Sequence, residues 1–464
     1  MEELLTKLQG KATVEDSTPR RCKAAMGFCQ ARRVRFAMGD AMKKIVLGAL
    51  AGACVPALAL AQTSVQMYGI ADAGLMWQRG SAPKIISGGA DGSRIGFKGS
   101  EDLGRGLKAV FNLEARVEID TGKQQPTLVN ENQGFYLTRG MEALPPNLLA
   151  AVRTALQPPG GAAVNPENAL FDRTSMVGLV TPVGAFLLGR MYTPGYEVFA
   201  AADTFEVGTG GTWGSVTGGT GGYQTLGADI RSQRAAQYRI ALPSGLGGSL
   251  MIAGKGSGYL GLYDKFWGAA ITYKAGPWDV GIGHNHAYDP AGSPSLRTTT
   301  IGGSYTWNDW KFFAGWHDQL NRNAALLPTY IAGWDAQIAP QLAPLGPAVA
   351  AALRAVFVNN ITYNSQQDAV GYQIGFQYRV GPNRFLASIA RQNDQLVTNS
   401  DATLFALGYN YYLSKRTDVY AVASYIKNDN EAQYSPATAG SPGGFTPSPG
   451  ENGRAFQLGM RHRF

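Results

Sequence analysis

Residues 453–464 read GRAFQLGMRHRF. Phe456, Leu458, Met460 and Phe464 share one parity, and Gln457, Arg461 and Arg463 share the other. Successive side chains of a strand point to opposite faces, so this is an extended segment with one apolar and one wet face, ending on an aromatic carboxyl terminus. Two stretches upstream repeat the pattern. From Leu107 to Ile119, the apolar residues Leu107, Ala109, Phe111, Leu113, Ala115, Val117 and Ile119 alternate with Lys108, Asn112, Glu114, Arg116 and Glu118. From Val370 to Val380, Tyr372, Ile374, Phe376 and Tyr378 alternate with Gly371, Gln373, Gly375, Gln377 and Arg379. Parity alone admits two architectures. A soluble sandwich turns its apolar faces inward and covers them with a second sheet. A wide barrel in lipid turns them outward and keeps a wet lumen.

The amino-terminal region separates the two. Residues 42–61, MKKIVLGALAGACVPALALA, carry a positive start at Lys43 and Lys44, an apolar run and an Ala59-Leu60-Ala61 site. This reads as a secretory signal peptide, with the mature chain expected to begin at Gln62. A buried helix and a lipoprotein anchored at Cys54 are the alternatives; against the second, Ala51 stands where a lipobox normally carries Leu. Residues 1–41 do not fit a leader and read as a start assigned too early, with Met42 the true one, or else as a polar extension. Cys22, Cys29 and Cys54 all precede Ala61, so a chain cleaved there has no disulfide and no thiolate metal site. Residues 1–61 also hold 10 of the 41 Lys and Arg and 5 of the 33 Asp and Glu. The remainder is net +3, which is no footprint for nucleic acid.

The chain of 464 residues has 60 glycines and only 16% charged residues, and its body has no apolar run long enough for a spanning helix. The alternation predicts sixteen strands near 65–79, 93–100, 106–119, 170–181, 184–191, 231–241, 248–256, 265–274, 277–288, 297–307, 310–320, 367–380, 383–393, 402–413, 416–428 and 453–464. Short turn-like connections, such as Asp102-Leu103-Gly104-Arg105, Pro182-Val183 and Asn308-Asp309, alternate with long ones at 120–169, 192–230, 321–366 and 429–452. An even strand count with tight turns at one end and long loops at the other is the layout of an outer-membrane barrel. The fold class read from the sequence is therefore all-β, a 16-stranded antiparallel transmembrane β-barrel spanning residues 62–464. Two loops look inserted, 141–169 and 323–366, and residues 347–356 could form a short helix. Tyr68, Trp77, Trp267, Trp278, Trp307, Trp310, Tyr411 and Tyr412 gather near strand ends, as interfacial girdles do.

Residues 66–74 (QMYGIADAG), 93–109 (SRIGFKGSEDLGRGLKA), 188–194 (LGRMYTP), 413–417 (LSKRT) and the terminal GMRHRF resemble the trimeric general porins of Gram-negative bacteria, in their β-proteobacterial branch. The resemblance covers residues 62–464 in order. It implies a homotrimer, passive diffusion of small hydrophilic solutes and ions, and a third loop, here about 192–230, folded inward to narrow the pore. It also implies contact with outer-membrane lipid and lipopolysaccharide, a second loop (120–169) latched onto a neighbour, and Phe464 as the address for the barrel-assembly machinery. No cofactor is implied. Two features depart from the family. Arg231-Ser232-Gln233-Arg234-Ala235 places Arg234 where a neutral amide is common, and the inserted loops exceed the usual length.

A pore of this kind needs a diameter and a field rather than catalytic chemistry. Basic residues on one wall and acids on an inward loop make a transverse field at the narrowest point. By resemblance, Arg94 and Arg173 match wall arginines of the constriction. Arg190, Arg231 and Arg234 are candidates by position beside the third loop. Glu197, Asp203, Glu206 and Asp229 are acids that loop could offer, and Glu114 lies on the polar parity of its strand. Arg173 and Arg190 share parity with apolar neighbours, so inward placement requires a bulge or a strand end. With Arg234 as the deciding charge, the pore is expected to prefer anions weakly. Enzyme readings find little support: there are four histidines and no G-x-S-x-G, H-E-x-x-H or phosphate-loop pattern. A substrate-specific channel or a surface adhesin remains the alternative.

Overall fold

A computed structural model of the chain describes residues 64–124, 140–141, 144–155, 165, 169–217, 230–258, 261, 263–321, 327–364, 366–438 and 445–464. The expected leader and the Gln62 terminus lie outside these residues. The strands are β1 (Ser64–Gln78), β2 (Lys84–Ser87), β3 (Arg94–Gly104), β4 (Leu107–Arg116), β5 (Thr174–Thr181), β6 (Gly184–Tyr192), β7 (Arg231–Ala241), β8 (Leu246–Ala253), β9 (Lys265–Ala275), β10 (Trp278–Tyr288), β11 (Pro294–Trp307), β12 (Trp310–Asn321), β13 (Gln367–Val380), β14 (Asn383–Asp394), β15 (Ala402–Tyr412), β16 (Thr417–Asn428) and β17 (Gly453–Arg463).

Sixteen of these form the barrel, each antiparallel to its chain neighbour, and β1 pairs with β17 to close it. Closure leaves no strand edge facing lipid, where an unpaired backbone group has no water to turn to. Strand β2 is the seventeenth and was not foreseen. It pairs with Ala73–Met76 at the top of β1, while residues 64–70 of β1 pair with β3. It belongs to the first long connection. The eight long connections are loop 1 (79–93), loop 2 (117–173), loop 3 (193–230), loop 4 (254–264), loop 5 (289–293), loop 6 (322–366), loop 7 (395–401) and loop 8 (429–452).

Burial follows the predicted parity but in the sense of a membrane barrel. On β17, Met460 and Phe464 are 50% and 45% exposed, while Gln457 and Arg461 are 1% and 3% exposed. On β13, Tyr372 and Ile374 face out, and Gln373 and Gln377 are buried inside. The outward face is apolar and the inward face polar, which excludes the soluble sandwich. The first turn differs from expectation: β3 runs through Gly104, and the turn is Arg105-Gly106, at φ 54° and 77°. Two left-handed residues match the twist of a two-residue hairpin.

Among the described residues, α-helices lie in three loops. They are α1 (Pro146–Ala155) in loop 2, α2 (Pro194–Ala202) in loop 3, and α3 (Leu327–Gly333), a π-helical turn (Trp334–Ile338), α4 (Ala339–Leu342) and α5 (Pro347–Asn364) in loop 6. The helix of loop 6 is longer than the sequence suggested. Met141 and Val152 of loop 2 pack against Trp334 and Phe357 of loop 6.

The carboxyl terminus is held at the closing seam. Gly69 N–H donates to Phe464 O and Phe464 N–H to Gly69 O, both at 3.1 Å. A Cβ on Gly69 would overlap the Phe464 ring, so the glycine leaves room for it. Phe464→Ser is expected to leave unfolded protein in the periplasm, with loss of heat-modifiable migration in outer-membrane fractions. Unchanged heat-modifiable protein at the cell surface would show that closure does not need this ring.

Candidate pore constriction

Loop 3 enters the barrel because the wall makes room and supplies donors for it. Thr193 caps α2, its Oγ1 accepting from Tyr196 N–H at 3.3 Å. Asn285 on β10 steadies the same turn, accepting from Gly195 N–H at 3.1 Å and donating to Thr193 Oγ1 at 3.0 Å. A Cβ at Gly283 would lie 2.9 Å from the backbone of Pro194 and Gly195, and one at Gly315 would overlap the Trp213 ring. These glycines are the seat of the loop. Phe199 stacks on Trp213 at 4.7 Å, and His317 of β12 sets its edge against both. Gln373 and Gln377 of β13 donate to the carbonyls of Ala202 (2.7 Å) and Thr204 (2.6 Å). Phe205, Trp213 and Val216 then pack against Leu386, Leu404 and Val422 of the β14–β16 wall.

The predicted acids divide by role. Glu114 is buried at the wall. Its Oε1 accepts from Arg173 Nε at 2.7 Å and lies 3.8 Å from Arg94, while Oε2 accepts from Tyr68 at 2.9 Å. Glu197 pairs with Arg239 of β7, and Glu206 with Arg384 of β14 at 2.8 Å, so both tie loop 3 to the wall. Burial pushes the Glu206 carboxyl up, but the charge and hydrogen bond of Arg384 outweigh it and hold the group below its ordinary range. That tie persists in mild acid and is lost only as pH falls through the depressed value. Asp203 does not line the pore. It is fully buried within loop 3 and accepts from the N–H groups of Phe205, Val207 and Trp213 and from the Thr212 hydroxyl. Burial raises its carboxyl to about 6 against the pull of those four bonds. The folded loop therefore takes up a proton between the ordinary 3.8 and about 6, and it loses stability as pH rises through that window. Asp229 lies outside the described residues.

The predicted arginines also divide. Arg94, Arg173 and Arg231 converge. Arg173 donates to Tyr192 Oη at 3.3 Å and Arg231 at 2.6 Å, with the Arg231 guanidinium 4.3 Å from the same ring. Arg173 reaches inward because it lies one residue before β5, where strand parity no longer binds it. Arg190 sits beside this group, donating to Asp172 O at 2.6 Å and Gln233 Oε1 at 3.3 Å. Arg234 does not join them, which corrects the sequence expectation. The β6–β7 register slips between Gly189 and Met191, leaving Arg190 opposite Gln233 and Arg234. Arg234 takes φ 54° in this bulge, is exposed, and donates to Lys255 O in loop 4. An extra residue in a strand re-aims its side chain, and here it aims the charge away.

Other charges complete the ring. Asp91 in loop 1 pairs with Arg94 and lies 3.9 Å from Arg461 and 3.7 Å from Arg463. Arg461 forks onto Asp418 at 3.0 and 3.1 Å. Loop 1 meets loop 3 where Thr209 N–H donates to Gly89 O at 2.7 Å, and loop 8 meets it where Ala437 N–H donates to Ser215 Oγ at 3.0 Å. Sequence reading placed Arg461 and Arg463 on the wet face but did not connect them to the constriction. Asp91, Arg239 and Arg384 were missed, although Arg239 shares the parity of Arg231. Removing Arg173 strips buried Glu114 of its nearest counter-charge and leaves it Arg94 at 3.8 Å, where breaking a buried pair outright costs about 3–5 kcal/mol. These arginines therefore hold the wall together. Among the described residues, no group of three His, Cys, Asp or Glu is placed to hold a metal ion.

A family model described as Gram-negative porin matches residues 47–431. An outer membrane porin of Bordetella pertussis is 24% identical over 457 residues, covering 91% of this chain and 100% of that protein. Outer membrane porin protein 32 of Delftia acidovorans is 24% identical over 431 residues, with the same coverage of each. Among solved structures, the anion-selective porin from Comamonas acidovorans superposes with a TM-score of 0.60 at 20% identity, covering 87% of this chain and 100% of that one. OmpT of Vibrio cholerae, described in trimer form, reaches 0.52 at 14% identity over 87% and 99%. Identities this low bear on the fold alone for the two solved structures. A closed barrel with an apolar exterior, a polar lumen and an inward third loop, together with the family match, shows that this chain belongs to the Gram-negative porin family and forms a passive channel through the outer membrane.

Proposed function

We propose that the protein is a general diffusion porin with a weak preference for anions. In this reading Arg94, Arg173, Arg231 and Glu114 set the field at one side of the eyelet, Glu197 ties loop 3 to Arg239 on that same side, and Glu206 ties it to Arg384 of β14. The observation that carries the anion preference is a set of lumen cations held over aromatic rings. Lys98 lies 4.9 Å from the Tyr68 ring, Lys311 4.9 Å from that of Phe313, and Arg379 4.7 Å from that of Tyr412. A quadrupole steadies a cation without neutralising it. Among the described residues these three have no carboxylate at ion-pair distance, whereas the eyelet arginines face Glu114, Asp91 and Asp418. The preference should be modest, because a wide wet lumen is screened over about 8 Å at physiological ionic strength. The description of the Comamonas acidovorans structure as anion-selective agrees with this reading.

A homotrimer is proposed from the family and from the trimer form of the Vibrio cholerae barrel. Contact with lipid and lipopolysaccharide is supported by an outward belt of Trp77, Trp267, Trp278, Trp307 and Tyr411. Delivery by the barrel-assembly machinery is inferred from the terminal Phe464. Cleavage after Ala61 is supported by β1 beginning at Ser64, directly behind the proposed mature terminus.

Reversal potentials in a potassium chloride gradient are expected to show weak anion selectivity. Changing Lys98, Lys311 and Arg379 together to Gln should move the potential toward cations, while Arg234→Ala should leave it unchanged because that side chain is bonded to loop 4, apart from the other arginines. Cation selectivity in the unmodified protein would overturn the assignment. An unheated detergent gel should show a band near three chains that collapses on boiling; a monomer band in mild detergent would count against the trimer. Terminal sequencing of the outer-membrane protein should begin at Gln62, and a chain retaining residues 1–41 would refute the leader.

A further inference from the structure

We propose that residues 327–364 of loop 6, which carry no net charge and dock on the described parts of loops 2 and 8, form a cap across the outer mouth, which limits solute size before charge is sampled at loop 3. This inference rests on the pore reading above. Loop 2 joins β4 to β5 and loop 6 joins β12 to β13. Around the sixteen barrel strands these attachments lie eight strands apart in either direction, so they face each other across the bore. Yet Met141 and Val152 of loop 2, Trp334 and Phe357 of loop 6, and Phe445 of loop 8 are all buried in one apolar cluster. Trp334 stacks on Phe357 with centroids 4.5 Å apart, and a Cβ on Gly140 of loop 2 would lie 3.5 Å from Val356.

Loops anchored on opposite rims can meet over the mouth or around the outside of the rim. Loop 8 decides between the routes. Tyr434 and Phe445 form an antiparallel bridge, reinforced where Gln433 Nε2 donates to Thr446 O at 2.8 Å and Thr446 N–H to Gln433 O at 3.0 Å. Tyr434 is buried inside the barrel in the cluster that seats loop 3, beside Leu404 and Ile426. Gln78, on the lumen face of β1, donates to Ser435 Oγ at 2.6 Å. The strut that carries Phe445 into the cap therefore rises from inside the lumen, and the cap core stands over the bore.

The chemistry of the cap fits a sieve rather than a charge filter. Residues 327–364 contain one acid and one base, Asp335 and Arg354, paired in a fork at 2.6 and 2.7 Å. This segment adds no net charge at the mouth, so it acts on solutes through its bulk. The cap then admits small hydrophilic solutes past its sides and holds back long oligosaccharides whatever their charge, while ion preference is left to the lumen.

Two variants test this. One replaces residues 327–364 with a short Gly-Ser linker; the other combines Trp334→Ala with Phe357→Ala, which undocks the cap without altering a barrel strand. Both are compared with the unmodified protein by liposome swelling with maltodextrins of increasing length and by reversal potential, using heat-modifiable material. Swelling with the longer chains is expected to rise at least about fivefold and with a pentose far less, while the reversal potential stays put. An unchanged length dependence in the folded variants would overturn the cap, as would a reversal potential that moves while the size limit does not. Should the excision fail to fold, the double alanine exchange carries the test. An unmodified protein that conducts nothing would instead overturn the pore reading itself.

Discussion

The constraint on which this structure rests is that a backbone in lipid has only itself to hydrogen-bond. A single unpaired edge would leave a row of N–H and C=O groups in hydrocarbon at several kcal/mol each. The seam between β1 and β17 removes that edge, and the reciprocal bonds of Gly69 and Phe464 hold its end in register. Because β1 must pair with β17 on one side and with both β3 and β2 on the other, loop 1 is drawn back toward the lumen. Asp91 reaches Arg94, Arg461 and Arg463 as a direct result.

Closure inverts the usual place of the core. The apolar faces go to lipid, and the interior must be filled by loops or left wet. Here loop 3 supplies a conventional hydrophobic core to part of the wall, through Phe199, Phe205, Trp213 and Val216 packed on β14–β16. The glycines at 283 and 315 let it approach, and the glutamines at 373 and 377 satisfy its carbonyls. Loop 8 extends this core toward the mouth. The pore is thus defined as much by what these loops occupy as by the barrel diameter.

Charge inside the lumen does two jobs. Arg173, Arg231 and Glu114 are buried and hold wall and strand ends together; in the proposed reading they also contribute a standing field. Lys98, Lys311 and Arg379 are held over rings and keep their charge for the lumen. A count of basic and acidic residues cannot separate these roles, because the sign of selectivity depends on which charges are already neutralised.

The sequence by itself determined the barrel. Period-two alternation is a local property, so the sixteen strands and their parity were legible, and the wet face of β17 correctly held Arg461; the inward third loop came from the family resemblance. Arg94, Arg173, Arg231 and Glu114, named by resemblance and parity, are neighbours in the structure. Local reasoning failed where one residue of register was at stake: the bulge opposite Arg190 turned Arg234 away from the other arginines, whereas the strand end that Arg173 needed is the one it has. It failed again wherever contact crosses the bore. Nothing in the linear order near Glu206 indicates Arg384, 178 residues away, and nothing near Val152 indicates Trp334. Only closure of the barrel brings those segments face to face, because strands far apart in the chain become opposite walls of one lumen.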